Sequence, residues 1–142
     1  MEKEIIARFM EEHVAFCRFL GMRLTDGGPG WVEMRLPFRP EFMGDPLRPA
    51  LHGGLVTTLI DTAGGAAAMT EMETSDRIST IDIRVDYLRP GEPKDLVVRA
   101  TVLRQGNRVA VVGATAHQGD ATKPIADGRA VYSLRRQDEM RG

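Results

Sequence analysis

The sequence predicts an α+β domain in which an antiparallel sheet wraps one long central helix. Three observations carry this prediction. A helix-length stretch from His52 to Ala68 is built of apolar, small and threonine residues around a single carboxylate, Asp61. Four strand-length runs follow it, separated by turn-forming residues at the spacing of an antiparallel meander. One helical segment and a hairpin-like pair of strands precede it, giving the order helix, two strands, long helix, four strands. The chain has 142 residues and shows no internal repeat or linker, so it reads as one domain over 1–142, large enough to bury its own core.

Each element has a local cause. Residues of about 2–20 mix Glu2, Lys3, Glu4, Arg8, Glu11 and Glu12 with an apolar stripe of Ile6, Met10, Cys17 and Leu20, the pattern of an amphipathic helix and not of a secretory signal. Met22–Thr25 and Trp31–Phe38 read as a hairpin around Asp26-Gly27-Gly28-Pro29-Gly30. The proline-rich stretch from Pro37 to Pro49 is a loop, and its apolar residues Phe42, Met43 and Leu47 are placed to lie over a pocket. Pro46 and Pro49 forbid helix there, so the central helix, about 53–72, starts at or just after His52 and leaves the Gly53 and Gly54 amides without intrahelical partners.

Beyond that helix, Ile81, Ile83, Val85 and Tyr87 alternate with Thr80, Asp82, Arg84 and Asp86, as in a half-buried strand. Leu96–Arg104, Val109–His117 and Ile125–Arg135 are three more strands, divided by Gln105-Gly106-Asn107 and by the loop from Gly119 to Pro124. The small apolar residues of Val109–His117 predict burial on both faces of that strand.

The central helix holds the strongest chemical signal. At about 100° per residue, Leu55, Val56, Leu59, Ile60, Ala63, Ala66 and Ala67 fall on one core-facing stripe. Asp61 lies opposite, among Thr57, Thr58, Gly64, Gly65 and Ala68, where a solvated helix normally carries Lys, Glu, Arg or Gln. Glycine costs about 1 kcal/mol relative to alanine in a helix interior, so these glycines predict a backbone approached closely by a ligand or another chain. Free amides at the positive end of a helix dipole bind oxyanions and can polarise a carbonyl, which marks Gly53 and Gly54. Asp61 stands roughly 13.5 Å along the helix from His52 and roughly half a turn out of phase, a separation that a two-fold dimer can bridge by placing Asp61 of one subunit opposite the glycine amides of the other.

Composition narrows the alternatives. The net charge of −1, from 19 basic and 20 acidic residues mixed along the chain, gives no reason to expect nucleic acid. Cys17 is the sole cysteine and sits on an apolar stripe, so it closes no internal disulfide and reads as core. His13, His52 and His117 lack metal-ligand spacing, so no metal is expected. No uncharged run reaches the ~18 residues that span a bilayer, which predicts a cytoplasmic protein without a membrane partner.

Leu51-His52-Gly53-Gly54 followed by Leu59-Ile60-Asp61-Thr62-Ala63-Gly64-Gly65-Ala66 resembles the PaaI-type acyl-CoA thioesterases of the hotdog-fold superfamily, and the order of elements agrees over nearly the whole domain. Ser79-Thr80-Ile81-Asp82 looks like the family strand that carries a hydroxyl near the site, and Tyr87-Leu88-Arg89-Pro90-Gly91 looks like its end. The resemblance implies a hotdog fold, subunits whose sheets join edge to edge, and dimers that often pair into tetramers with sites at the dimer interface. It implies Asp61 as general base or nucleophile, Gly54 with Gly53 as the amides that polarise a thioester carbonyl, His52 as the residue that orients their loop, and Thr80 or Ser79 as a partner of water or of the acyl group. The substrate would be an acyl-CoA, with no separate cofactor.

The family pattern Asn-x-x-Gly-x-x-His-Gly-Gly is broken here by Pro46 and Pro49, and the neighbouring Asp45 substitutes only in part, since an ionised carboxylate donates no hydrogen bond. Arg89, Arg104 and Arg108 lie near predicted strand ends, where they can meet coenzyme A phosphates. Two other readings stand beside hydrolysis: a non-catalytic acyl-CoA binding protein, and a 3-hydroxyacyl dehydratase or hydratase pairing His52 with a carboxylate. The acyl chain is not legible from Phe42, Met43, Leu47, Met69 and Met72.

Overall fold

The computed structural model describes residues 1–140. Helix α1 (Lys3–Arg8) runs into a π-helical segment, Phe9–His13, and then into α2 (Ala15–Leu20). Strands β1 (Arg23–Gly28) and β2 (Trp31–Leu36) form the predicted hairpin, and a short 3-10 turn, Pro40–Phe42, lies in the loop that follows. The long helix α3 spans Gly53–Met69, and β3 (Arg77–Tyr87), β4 (Leu96–Gln105), β5 (Val109–His117), β6 (Ala126–Arg135) and a terminal turn α4 (Gln137–Met140) complete the chain.

The six strands make one antiparallel sheet in the order β1-β2-β4-β5-β6-β3. Helix α3 packs on one face of it, touching β2, β3, β4, β5 and β6, so the sheet wraps the helix as the fold class requires. Six of the seven predicted stripe residues are buried, with Val56, Leu59, Ile60, Ala63, Ala66 and Ala67 at most 3% exposed, whereas Leu55, in the first turn, is half-buried and lines a cavity. They meet Val32, Met34, Val98, Ala100 and Val112 across the interface layer, with Ile6, Met10, Cys17 and Leu20 of the N-terminal segments closing the same core.

Three expectations are corrected. The N-terminal helix of about 2–20 is not continuous: the Val14 amide donates to the Phe9 carbonyl at 3.1 Å, a π-type bond, and Val14 itself is extended (φ −88°, ψ 102°). No glycine or proline marks this break, which leaves the apolar stripe intact on both sides. Strand β5 is not buried on both faces. Ala110, Val112, Ala114 and Ala116 lie under α3, while Val111, Gly113, Thr115 and His117 face away and are half-buried.

The third correction is in β3. Thr80 pairs with Tyr132 and Asp82 with Val131, so Ile81 is the unpaired extra residue of a β-bulge and is 60% exposed. The bulge reverses the side-chain alternation and turns Thr80 to the helix side together with Ile83 and Val85.

Candidate functional site

The loop from Pro37 to His52 folds back on itself before α3 begins. The His52 amide donates to the Phe42 carbonyl at 2.9 Å, the Gly44 amide donates to the Ala50 carbonyl at 2.8 Å, and Met43 and Leu51 form an isolated antiparallel bridge. A side chain at Gly44 would come within 2.6 Å of the His52 Cα, so glycine there permits the closure. Asp45 is a structural member of this loop. Its carboxylate accepts from the Leu47 and Arg48 amides and pairs with the Arg48 guanidinium at 3.2 Å, and these contacts hold its carboxyl below the usual carboxylate range.

His52 is the N-cap of α3. Its Nδ1 accepts from the Gly54 amide at 2.9 Å, so the ring carries its proton on Nε2 in this arrangement. Neither glycine amide has an intrahelical partner, as expected, but the two differ: Gly54 N–H is taken by the His52 cap, while Gly53 N–H has no hydrogen-bond partner among the described residues. Across from Gly53, the Tyr87 hydroxyl donates to the Gly53 carbonyl at 2.7 Å and accepts from Thr57 Oγ1 at 2.5 Å. Tyr87 thus clamps the first turn of α3 to the end of β3.

Two turns further along, Asp61 is half-buried and faces β3. Thr80 Oγ1 donates to Asp61 Oδ1 at 2.8 Å, whereas Oδ2 makes no hydrogen bond among the described residues. Behind it, the hydroxyl of the buried Tyr132 donates to the Asp61 carbonyl at 2.7 Å and lies 3.5 Å from Oδ1. Burial, followed by the charge of Asp61, pushes the Tyr132 phenol far above its ordinary value, so it remains a donor across the working pH range. Thr58 and Thr62 turn their hydroxyls back onto the Gly54 and Thr58 carbonyls at 2.7 and 2.9 Å, and so present methyl groups along this face.

Gly64, Gly65 and Ala68 do not form an open face around Asp61; all three are buried. The close approach predicted at these glycines comes from within the chain, because a Cβ at Gly64 would fall inside van der Waals contact of the Tyr132 hydroxyl and 3.1 Å from its Cζ. Sequence reasoning missed Tyr132. Its parity with Ala130 and Leu134 on β6, set against the side-chain-free pair Gly64-Gly65, is the signal that points to it.

Within one chain the two halves remain apart. Asp61, Thr80 and Ser79 line a cavity of about 190 Å³ with Tyr132, Met10 and Val14. His52 and Gly54 line a separate cavity of about 500 Å³ with Phe42 and Met43, and the two share no lining residue. Leu47, expected with Phe42 and Met43, is 91% exposed; Met69 lies in the Asp61 cavity and Met72 in the core. Arg89 shares a third cavity, about 400 Å³, with Gly53 and Tyr87. Arg104 and Arg108 are at the other end of the sheet, beside the last turn of α3, where Gln105 Nε2 donates to the Ala68 carbonyl; Arg108 pairs with Glu139 at 3.8 Å. Among the described residues no group of His, Cys, Asp or Glu is placed to hold a metal ion, and no helix is long and apolar enough to cross a membrane.

A long helix wrapped by a six-stranded antiparallel sheet is the hotdog fold. Residues 49–125, more than half the chain, match the model of the thioesterase superfamily. The chain is 30% identical over 144 residues to the medium/long-chain acyl-CoA thioesterase YigI of Salmonella typhimurium, covering 92% of each chain, and 33% identical over 142 residues to a putative esterase of Halobacterium salinarum, covering 94% of this chain and 93% of that one. A thioesterase family protein from Silicibacter pomeroyi superposes with a TM-score of 0.85 at 27% identity, over 95% of this chain and 99% of that chain. The protein belongs to the thioesterase superfamily.

Proposed function

We propose that the protein hydrolyses acyl-CoA thioesters to the free acid and coenzyme A at a site shared between two subunits. The observation that carries this reading is the Asp61 carboxylate, fixed through Oδ1 by Thr80 while Oδ2 stays uncommitted beside a small cavity. That is the arrangement of an oriented base with one oxygen left for water. The relatives from Salmonella and Escherichia coli named as medium/long-chain acyl-CoA thioesterases support the choice of thioester.

In this reading the oxygen of a water bonds to the thioester carbon as Asp61 takes its proton. The carbonyl oxygen becomes an oxyanion and is received by the Gly53 amide at the positive end of α3, an interaction stronger in the transition state than in the ground state. His52 holds the turn by capping Gly54, and Tyr87 holds it from β3. Collapse breaks the carbon–sulfur bond, and the thiolate of coenzyme A leaves with the proton from Asp61.

The separation of the two groups supports a shared site. One chain places Asp61 and the Gly53 amide in different cavities, roughly 12 Å apart along the helix. Strand β3 is an eleven-residue edge strand with Ile81 and Tyr87 exposed, a surface suited to pairing with a second copy. The test is release of free thiol from a panel of acyl-CoAs by wild type and Asp61→Asn. A loss of roughly a hundredfold or more in the variant is expected for a lost general base. Equal rates in the two proteins, or no turnover of any thioester by wild type, reject the proposal.

A further inference from the structure

Arg39 stands in the wall of the 500 Å³ cavity that also holds His52 and Gly54, and the reaction above does not use it. Its guanidinium lies 4.5 Å from the Phe42 ring centroid and 5.6 Å from that of Phe19, within cation–π range of both rings. Nη1 donates to the Phe19 carbonyl at 3.1 Å. Nε is enclosed by protein and has no hydrogen-bond partner among the described residues, so the edge that can meet a ligand is that of Nη1 and Nη2, and Nη2 makes no hydrogen bond among the described residues. Glu41 lines the same cavity but forms no ion pair with Arg39, and the remaining walls, Phe19, Leu20, Phe42, Met43 and Leu55, are apolar.

A guanidinium has five N–H donors, and leaving such donors unpaired away from water is costly. Holding one against two rings, with a single backbone acceptor and no carboxylate, keeps its Nη1–Nη2 edge available for an oxyanion at low ordering cost. Apolar surroundings strengthen that attraction relative to open solvent. We infer that Arg39 binds an oxyanion carried by the thioester substrate, next to the turn where Gly54 is capped. The inference rests on the thioesterase reading for the identity of the ligand. Two parts of such a substrate supply the chemistry: a phosphate of coenzyme A, or a carboxylate at the far end of a dicarboxylic acyl group.

Non-hydrolysable thioethers test this by calorimetry on the full-length chain: S-hexyl-CoA, S-hexyl-pantetheine and S-(5-carboxypentyl)-CoA, each with wild type, Arg39→Leu and Arg39→Lys. If the anion is a coenzyme A phosphate, Arg39→Leu weakens S-hexyl-CoA binding about tenfold or more and leaves S-hexyl-pantetheine unchanged. If it is an acyl carboxylate, wild type binds the carboxypentyl ligand more tightly than S-hexyl-CoA, and that advantage disappears in Arg39→Leu. Arg39→Lys keeps the charge and the stem but loses the fork, so its affinity falls between the two and reports on the site even where leucine impairs folding. Unchanged affinity for all three ligands in both variants overturns the inference, as does failure of wild type to bind any of them. Hydrolysis of hexanoyl-CoA by the same wild-type protein is read separately: binding that depends on Arg39 without turnover leaves the anion site standing and removes the hydrolase reading.

Discussion

Adding a single methyl group at Gly64 should damage the site from behind, while the same change one residue later should not. A Cβ at Gly64 would overlap the Tyr132 hydroxyl and lie 3.1 and 3.3 Å from Cζ and Cε2, whereas a Cβ at Gly65 would sit 3.6 Å from Cε1, an ordinary contact. Each Gly→Ala change gains about 1 kcal/mol of helix propensity. At Gly64 that gain is opposed by overpacking of about 1–3 kcal/mol. It is further opposed by loss of the hydrogen bond from Tyr132 to the Asp61 carbonyl, about 1 kcal/mol. The expected net effect is destabilisation of about 1–3 kcal/mol for Gly64→Ala, or roughly 2–10 °C in Tm for a domain of this size. Gly65→Ala should be neutral or stabilising by up to about 1 kcal/mol.

Thermal unfolding followed by circular dichroism at one fixed protein concentration measures both, with thiol release as the second readout. Gly64→Ala should also lower turnover, because the displaced ring no longer supports Asp61. Tyr132→Phe removes the overlapping oxygen, so Gly64→Ala should cost less in that background, giving a measurable coupling between the two sites. The reasoning is refuted if Gly64→Ala is as stable and active as wild type, or if Gly65→Ala is the more harmful of the two.

Two further perturbations separate chemistry from folding. Thr80→Val keeps a β-branched strand residue but removes the hydroxyl that holds Asp61 Oδ1; kcat/KM should fall about tenfold with little change in Tm, and Thr80→Ser should restore most of the rate. The Asp76 side chain, 4% exposed and bonded to Arg136 at 2.9 Å, has its carboxyl held below the ordinary range first by the Arg136 guanidinium. A depressed folded-state value stabilises the fold above the unfolded carboxylate pKa of about 3.9 and loses that contribution as pH falls below it toward the folded value. Urea midpoints should therefore differ between wild type and Arg136→Leu at pH 7 and converge on acidification; a difference that grows instead contradicts the assignment.

Much of this architecture is legible in the chain because its causes are local. Proline and glycine punctuation sets the strand boundaries and the start of α3, and the helical stripe from Val56 to Ala67 identifies the core face without reference to the sheet. What is not legible depends on contacts between distant segments. The bulge at Ile81 has no glycine to announce it, yet it decides that Thr80 and not Ile81 faces Asp61. The break at Val14 likewise lacks a helix breaker and places that residue against the Asp61 cavity. Gly64 is readable as a point of close approach, but the approaching group is Tyr132, 68 residues on; its parity on β6 places it on the core face, and the fold alone sets it against Gly64. The resemblance points to His52 as the residue that orients the glycine loop, but that it does so by capping Gly54, leaving the Gly53 amide uncommitted, requires the geometry.

Subunit complementation tests the central claim, a single site built from two chains, most directly. Asp61→Asn removes the base from one chain; Gly53→Pro removes the uncommitted amide from the other, at a first helical position where proline is tolerated and where His52 before it is already extended (φ −61°, ψ 123°). Each variant alone should be nearly inactive. After co-refolding, random hybrids carrying one intact site of two should recover about a quarter of wild-type thiol release. A mixture no more active than its parents would contradict the shared site and return the chemistry to a single chain.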